Sequence, residues 1–473
     1  MELHNEDLGP VTEDKKTWGW FEIFNVWSND IQSLFGYTLA ASLFLSYGLS
    51  GWSVFSAILV AGLFVMVLVN LMGKPSVQHG IPFPVMARAS MGVKGANFPA
   101  VLRAVVAIFW YGAQTYFAST ALSLLIKSLL GIEPSSMWLG MTGIDWVSFL
   151  IVWGFQIFLF MKGIDTIAKF LNFAGVFVYA VMIVLALLIW NAAGSGLMTE
   201  VGTIFQGVGD YSGTALSAWF AVVGTMIAYF AAVVINYGDF SRFVKSQKEM
   251  RKGNLLGLPL NIAFFSLIAL VVTAGTIVVF GEPMTNPTDI VAAVGSLPLT
   301  IVAAIAFFFA TVGINMVANF IPPAYDLANL APAKIDFRLG GLITSAFALV
   351  IGGLWVSVVS QMGIFNFVNT FGAVLAPIYG IMMVDHYMIK KEALDIDELF
   401  NASEDGEYYY DNCWNKKALA AWALPAAFSL GTVWLPVLGF LSGFGWVIGA
   451  ALGGIIYFTI IWTQLTFQSF WGL

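Results

Sequence analysis

WSNDIQSLFGYTLAAS, residues 27–42, begins as polar as a loop and ends as apolar as a membrane helix. Asn29, Asp30 and Gln32 crowd into four positions of a chain that is 59% hydrophobic and only 10% charged. Soluble globular proteins carry about 25% charged residues, so composition alone marks an integral membrane protein. The apolar runs are long enough for spanning helices, which need roughly 20 residues. The alternating segments of about 10 residues that mark a transmembrane barrel are absent. The expected fold is therefore all-α, and Asp30 is a carboxylate placed where a bilayer penalises it.

Twelve hydrophobic spans are expected near 23–49, 52–73, 99–130, 145–161, 165–192, 213–237, 253–280, 297–325, 339–358, 362–388, 417–438 and 442–468. Several exceed a straight crossing, which implies tilt or a broken helix. Lys15, Lys16, Lys74, Arg88, Lys94, Arg103, Lys162, Lys169, Arg242, Lys245, Lys248, Arg251, Lys252, Lys334, Arg338, Lys390, Lys391, Lys416 and Lys417 fall in or beside alternate loops, and only Lys127 falls opposite. The positive-inside rule then puts both termini in the cytoplasm. Residues 1–20 lack the basic start and apolar core of a secretory signal, so span 1 is expected to direct insertion into the plasma (inner) membrane. The loop 389–415 is acidic and tyrosine-rich, and Asn401-Ala402-Ser403 within it is a chance glycosylation match if cytoplasmic.

A single cysteine, Cys413, excludes a disulfide framework or a cysteine-based zinc site. Three scattered histidines, His4, His79 and His386, argue against a histidine metal centre. No G-x-x-x-x-G-K-[ST] loop points to ATP, and no H-E-x-x-H helix to a zinc protease. Polar residues inside the spans remain, and such residues usually face a cavity or a partner.

Asp30 lies about eight residues into span 1, roughly 12 Å deep at 1.5 Å per residue. Either span 1 starts later and Asp30 caps it, or Asp30 is a proton or coupling-ion site in a locally unwound helix that Gly36 allows to break. Trp110 and Gln114 are four apart in span 3 and share a helix face. Together they offer a stacking plane and a planar amide, suited to a ring with N–H beside C=O, or they simply pack helices. Asn315 and Asn319 repeat that spacing in span 8, as substrate ligands or interhelical glue. Phe230 is a mid-span aromatic. Asp239 and Arg242 are expected to form an interfacial salt bridge, and Asp385 with His386 a solvated pair.

These clusters, with GIPFPVMARASMGVKGANFP (80–99), RAVVAIFWYGAQTY (103–116), GDFSRF (238–243) and ATVGINMVANFIPPAYD (310–326), resemble the nucleobase–cation symporter family type 1. The resemblance runs along nearly the whole chain and is closer to its hydantoin and allantoin permeases. It implies a LeuT-like core of two inverted five-helix repeats, 23–192 and 213–388, with spans 1 and 6 broken at the midplane. A cytoplasmic tail (1–22), a cytoplasmic loop (389–416) and two further helices (417–473) complete the chain. A bundle of spans 1, 2, 6 and 7 would face a scaffold of spans 3, 4, 8 and 9.

The same resemblance implies a heterocycle (allantoin, hydantoin, uracil, cytosine or purine) stacked between Trp110 and Phe230. Gln114 and Asn319 would read its edge, with Asn315 one turn earlier and Ser33 or Gln32 assisting. In sodium-binding members the ion sits on backbone carbonyls that fall here on Asn29, Gln32 and Ala310, plus a Ser-Thr hydroxyl pair that falls on Gly313 and Ile314. Neither of these last two carries a side-chain oxygen, and hard cations want about six oxygens. Asp30 is then expected to couple transport to protons, since burial raises a carboxylate's pKa. The alternative keeps sodium, with ionised Asp30 as its ligand. No other cofactor and no nucleic acid is implied. A passive channel, a transporter-like sensor and a membrane-embedded enzyme are the rival functions.

Overall fold

The computed structural model describes residues 3–132, 136–204, 211 and 213–471. Met1 and Glu2 of the tail, residues 133–135 of the first repeat, 205–210 and 212 between the repeats, and Gly472 and Leu473 lie outside the described residues. The described elements are helical, and extended pairing is limited to isolated bridges such as Trp18 with Val244.

Span 1 is two half-helices, α1 (Trp20–Ile31) and α2 (Leu34–Ser46). At 12 and 13 residues each is about 18–20 Å long, short of a core about 30 Å thick. The break falls at Gln32 and Ser33 rather than at Gly36. Ser33 is extended, and its Oγ accepts the Gly36 N–H at 2.8 Å, capping α2. Gly36 sits inside α2, where an added Cβ would lie 2.9 Å from the Tyr229 hydroxyl. Its smallness admits that tyrosine.

The first half continues through α3 (Gly51–His79), α4 (Phe83–Met91), α5 (Asn97–Leu130), α6 (Gly143–Met161) and α7 (Ile164–Ala193). A short α8 (Gly196–Ile204) leads to α9 (Ala215–Ile235), α10 (Gly238–Ser241), α11 (Gln247–Gly257) and α12 (Pro259–Phe280). Then come α13 (Pro287–Val294), α14 (Leu297–Ile314), a π-helical turn (Asn315–Phe320), α15 (Ile321–Leu330), α16 (Phe337–Gly353) and α17 (Ile364–Val384). The chain ends in α18 (Lys416–Trp434) and α19 (Gly445–Trp471).

Among the described residues eight helical stretches, not twelve, are both long and apolar enough to cross a membrane. Span 1 is missing from that set because it is halved, and span 9 because α16 has 17 residues. α5 and α18 dilute their apolar residues with lysine and hydroxyl side chains. The break expected at the middle of span 6 is also absent, since α9 runs unbroken to Asn236. Its one glycine, Gly224, is spent on close backbone contact with Gly443. Span 8 carries an irregularity instead. Pro322 and Pro323 open α15 without N–H donors, and the preceding turn widens to π geometry.

Two bodies emerge from the packing. α5 lies along α6, α14, α15 and α16, whereas α9 lies along α3, α17 and α19. At one end of the helices the N-terminal segment forms a strap across both. The Arg88 guanidinium donates to Leu3 O at 2.9 Å, and Arg242 donates to Asp7 O (3.0 Å) and Gly9 O (2.8 Å). Val11 N–H donates to Gly80 O at 2.9 Å, Asn5 Nδ2 to Pro332 O and Ile335 O, and Phe337 N–H to Asp7 Oδ2. Arg88 and Arg103, expected in or beside a loop, are fully buried in α4 and α5.

Candidate functional site

The half-helix break brings span 1 against α5, α9 and the π-turn. Asp30, Trp110, Tyr229, Ala232, Val233, Ile314, Ala318 and Asn319 line a small cavity of about 20 Å³, room for about one water. Asp30 stands ten residues after the start of α1 and is 3% exposed, so it is no interfacial cap. Among the described residues its carboxylate has no hydrogen-bond partner.

Trp110 is walled by rings. Phe35 and Phe367 meet it edge-on with centroids at 4.8 Å, and Tyr229 does so at 5.7 Å. Phe35 also contacts Phe117 and Trp355, so an aromatic plug packs around Trp110 on the α2 side. The residue opposite Trp110 is thus Tyr229, not Phe230. One helical position rotates a side chain by about 100°, and Phe230 turns to Trp27 and lines a second cavity with Ile31, Leu39 and Phe265, one that Tyr229 also borders. The Tyr229 hydroxyl lies 3.3 Å from Ser33 Oγ and 3.4 Å from Asp30 O.

Ser33 and Gln32 point apart. Gln114 Nε2 donates to Ser33 Oγ at 3.4 Å, and Gln114 Oε1 is buried without a donor. Gln32 instead faces α7, donating from Nε2 to Ser28 Oγ (2.7 Å) and Gly175 O (3.1 Å). With Asn25, Ser28 and Asn29 it forms a polar stripe on α1 at helical spacing. Gly175 is required there, because a Cβ would press into Asn25 Oδ1 and Ser28 Oγ.

Asn315 and Asn319 have different tasks. Asn315 Nδ2 donates to Gln156 Oε1 (2.7 Å), Thr115 Oγ1 and Tyr111 O (both 3.2 Å), tying the π-turn to α5 and α6. Its Oδ1 accepts from Asn319 Nδ2 at 2.9 Å, which fixes the amide of Asn319, a residue of the cavity lining. Asn315 therefore positions Asn319 from behind and is not in the cavity lining.

At the expected sodium position, Ala310, Gly313 and Ile314 are buried and Ile314 lines the cavity. The Asn29 side chain leans onto Gly313, so closely that a Cβ there would overlap Asn29 Oδ1. Asn29 Nδ2 is held by Asn25 O (2.8 Å) and Leu171 O (2.9 Å). Among the described residues no group of three or more His, Cys, Asp or Glu could hold a metal ion.

Two expected pairs differ. Asp239 and Arg242 do not form an ion pair among the described residues. Asp239 accepts the Phe83 N–H at the start of α4 (2.8 Å) and Asn236 Nδ2 (3.1 Å), while Arg242 grips the strap. Asp385 and His386 are buried, not solvated. Asp385 pairs with Lys390 at 2.6 Å and accepts from the Tyr457 hydroxyl at 3.0 Å, joining the end of span 10 to α19.

Tyr229 and the plug residues Phe35, Trp355 and Phe367 were not expected at the site. A helical wheel of span 6 set against Trp110 would have offered Tyr229, but nothing local distinguishes the plug rings among 41 phenylalanines and 17 tryptophans.

The sequence pattern described as permease for cytosine/purines, uracil, thiamine and allantoin matches residues 10–460. The allantoin permease of Bacillus subtilis is 33% identical over 97% of this chain and 93% of its own length. A purine–uracil permease of Arabidopsis thaliana is 30% identical over 89% of this chain and 69% of its own. A nucleobase-cation-symport-1 family transporter, solved in a closed conformation with bromovinylhydantoin bound, superposes with a TM-score of 0.79 at 22% identity, covering 98% of this chain and 96% of that one.

Proposed function

Because the chain belongs to the family of permeases for cytosine/purines, uracil, thiamine and allantoin, we propose that it is a secondary active symporter that imports one small planar nitrogen heterocycle by alternating access. It is a transporter, not an enzyme. One observation carries the reading: an indole, a phenol, an amide and a buried carboxylate line one small cavity, with a second amide, Gln114, linked to its Tyr229 through Ser33. The ring lies between Trp110 and Tyr229. Asn319 Oδ1 and Gln114 Oε1, which have acceptor capacity to spare, take its N–H groups, and Ser33 assists. Such a site rejects rings that lack the polar edge, because its own buried groups are then left unpaired. Allantoin, hydantoins, uracil and purines all carry that edge. The cavity opens to seat them. Ten crossings in two inverted repeats and two further helices, with basic residues in alternate loops, would put both termini, the strap and residues 389–415 in the cytoplasm.

Proton coupling through Asp30 fits this chain better than sodium coupling. The Asn29 side chain occupies the space over Gly313 that a hydroxyl would need. Asp30 stands at the C-terminal end of α1, where the helix dipole is negative and a bound proton relieves the repulsion. One observation favours sodium: Asn29 Oδ1 is buried without a donor. Uptake of labelled heterocycles into proteoliposomes, with sodium and pH gradients imposed separately, tests all of this. Accumulation driven by the pH gradient alone supports the proton version. Accumulation that needs sodium and ignores pH refutes it, and equilibration without accumulation makes the protein a facilitator.

A further inference from the structure

Beneath the cavity lies a set of charged groups that substrate binding does not use. Arg103 is seven residues before Trp110 on α5, and Asp326 is seven residues after Asn319 on α15. On α5 seven residues are two helical turns, about 10 Å, so Arg103 lies on the Trp110 side of its helix, and Asp326 lies beyond the π-turn on α15, which packs along α5. Arg103 forms the floor. Its Nε donates to Ala232 O (3.0 Å) and Asn236 Oδ1 (3.1 Å) on the α9 side, and its Nη2 donates to Ala318 O in the π-turn. Ala232 and Ala318 both line the cavity. One guanidinium thus staples α9 to the α5–α15 body directly below the substrate position.

The staple leaves two groups unsatisfied. Arg103 Nη1 is buried without an acceptor, and both carboxylate oxygens of Asp326 are buried without a donor. Buried polar atoms without partners are rare and call for a cause, and an unpaired buried carboxylate is the most expensive kind. Asp239 already accepts from Phe83 N–H and Asn236 Nδ2, whereas Asp326 accepts from no group among the described residues. Arg103 and Asp326 ride on helices that pack along one another, while Ala232 and Asn236 belong to the other body.

We propose that Asp326 is the standby partner of Arg103: when the floor opens toward the cytoplasm, Arg103 releases Ala232 O and Asn236 and pairs with Asp326. The two orphaned groups of the closed state satisfy each other in the open one. Asp326 is thereby a positioning residue for substrate release, and the inference rests on the alternating-access reading above.

The test reads floor opening without any transported substrate. The parent is Val233→Cys in a Cys413→Ala background, labelled in inside-out vesicles by a membrane-impermeant thiol reagent. Asp326→Asn removes the charge at constant size and is expected to slow labelling at least about tenfold, the scale of one charged hydrogen bond. Asp326→Glu keeps a carboxylate and should label within about threefold of the parent. Equal labelling of parent and Asp326→Asn overturns the proposal. So does equal slowing by Asn and Glu, which would make the effect one of packing. If Asp326→Asn does not fold, Arg103→Lys decides. Lysine lacks the fork that holds Ala232 O and Ala318 O together, so labelling should rise at least about tenfold, and an unchanged rate overturns the proposal. A failure of uptake in the wild-type protein would count against the symporter reading and leave this labelling result standing.

Discussion

Gly313→Ala adds one methyl group at the point where the Asn29 side chain leans onto α14. The new Cβ would overlap Asn29 Oδ1 and lie 3.0 Å from its Cγ. The amide must therefore swing away, giving up its bonds to Asn25 O and Leu171 O. Each is worth about 1 kcal/mol, and stranding the Leu171 carbonyl raises the loss to about 2–3 kcal/mol. Asn29→Ala loses the same two bonds and strands the same carbonyl, about 2–3 kcal/mol. In the double variant the space vacated by the amide accepts the methyl, so the pair should cost no more than Asn29→Ala alone. The coupling is then about 2 kcal/mol, well beyond the 0.3–0.5 kcal/mol scatter typical of about additive sites. Unfolding free energies in mixed SDS micelles measure the cycle. Additive effects, or a neutral Gly313→Ala, would refute the placement of Asn29. The same geometry predicts that Gly313→Ser cannot build a sodium ligand by itself and gains sodium dependence only with Asn29→Ala and Ile314→Thr.

Trp110→Ala and Gln114→Ala should each weaken substrate binding at least about tenfold, the scale of a lost stacking plane or a stranded polar partner, with unchanged folding by gel filtration. Unaltered affinity in either removes the site model. Tyr229→Ala should weaken binding far more than Phe230→Leu, because only Tyr229 faces Trp110; equal losses by titration calorimetry would restore Phe230 to the site. Asp30→Asn should keep substrate binding and lose accumulation against a gradient, and full concentrative uptake by that variant would exclude Asp30 from coupling. Arg242→Gln should free the strap, read as faster proteolysis of residues 3–18 in inside-out vesicles; an unchanged rate would mean that the Asp7 and Gly9 carbonyl contacts do not hold it.

Much of this was legible in the sequence because a bilayer makes polar residues conspicuous. Asp30, Trp110, Gln114 and Asn319 stood out against apolar surroundings, and all four meet at or beside one cavity. The polar cluster in residues 27–42 located a helix break within four residues, but the serine that caps the second half set its position. What stayed hidden depends on rotation and on long-range contact. Phe230 and Tyr229 differ by one helical step, which neither composition nor spacing resolves. Asn315 and Asn319 look equivalent until the π-turn and Gln156, far away in sequence, separate their roles. Arg103 read as a loop cation because positive charge marks the cytoplasmic side in general, and only tertiary packing reveals an arginine whose acceptors are two backbone carbonyls and the Asn236 amide oxygen inside the protein.

The strap sets an order of assembly. Its residues precede their partners along the chain, some by far: Leu3 waits for Arg88, Gly9 for Arg242, and Asn5 and Asp7 for residues 332–337. Through the insertion of the first seven spans the N-terminal segment can make at most part of its contacts. A nascent chain stalled before Pro332 therefore carries a strap that still lacks its partners at Pro332, Ile335 and Phe337.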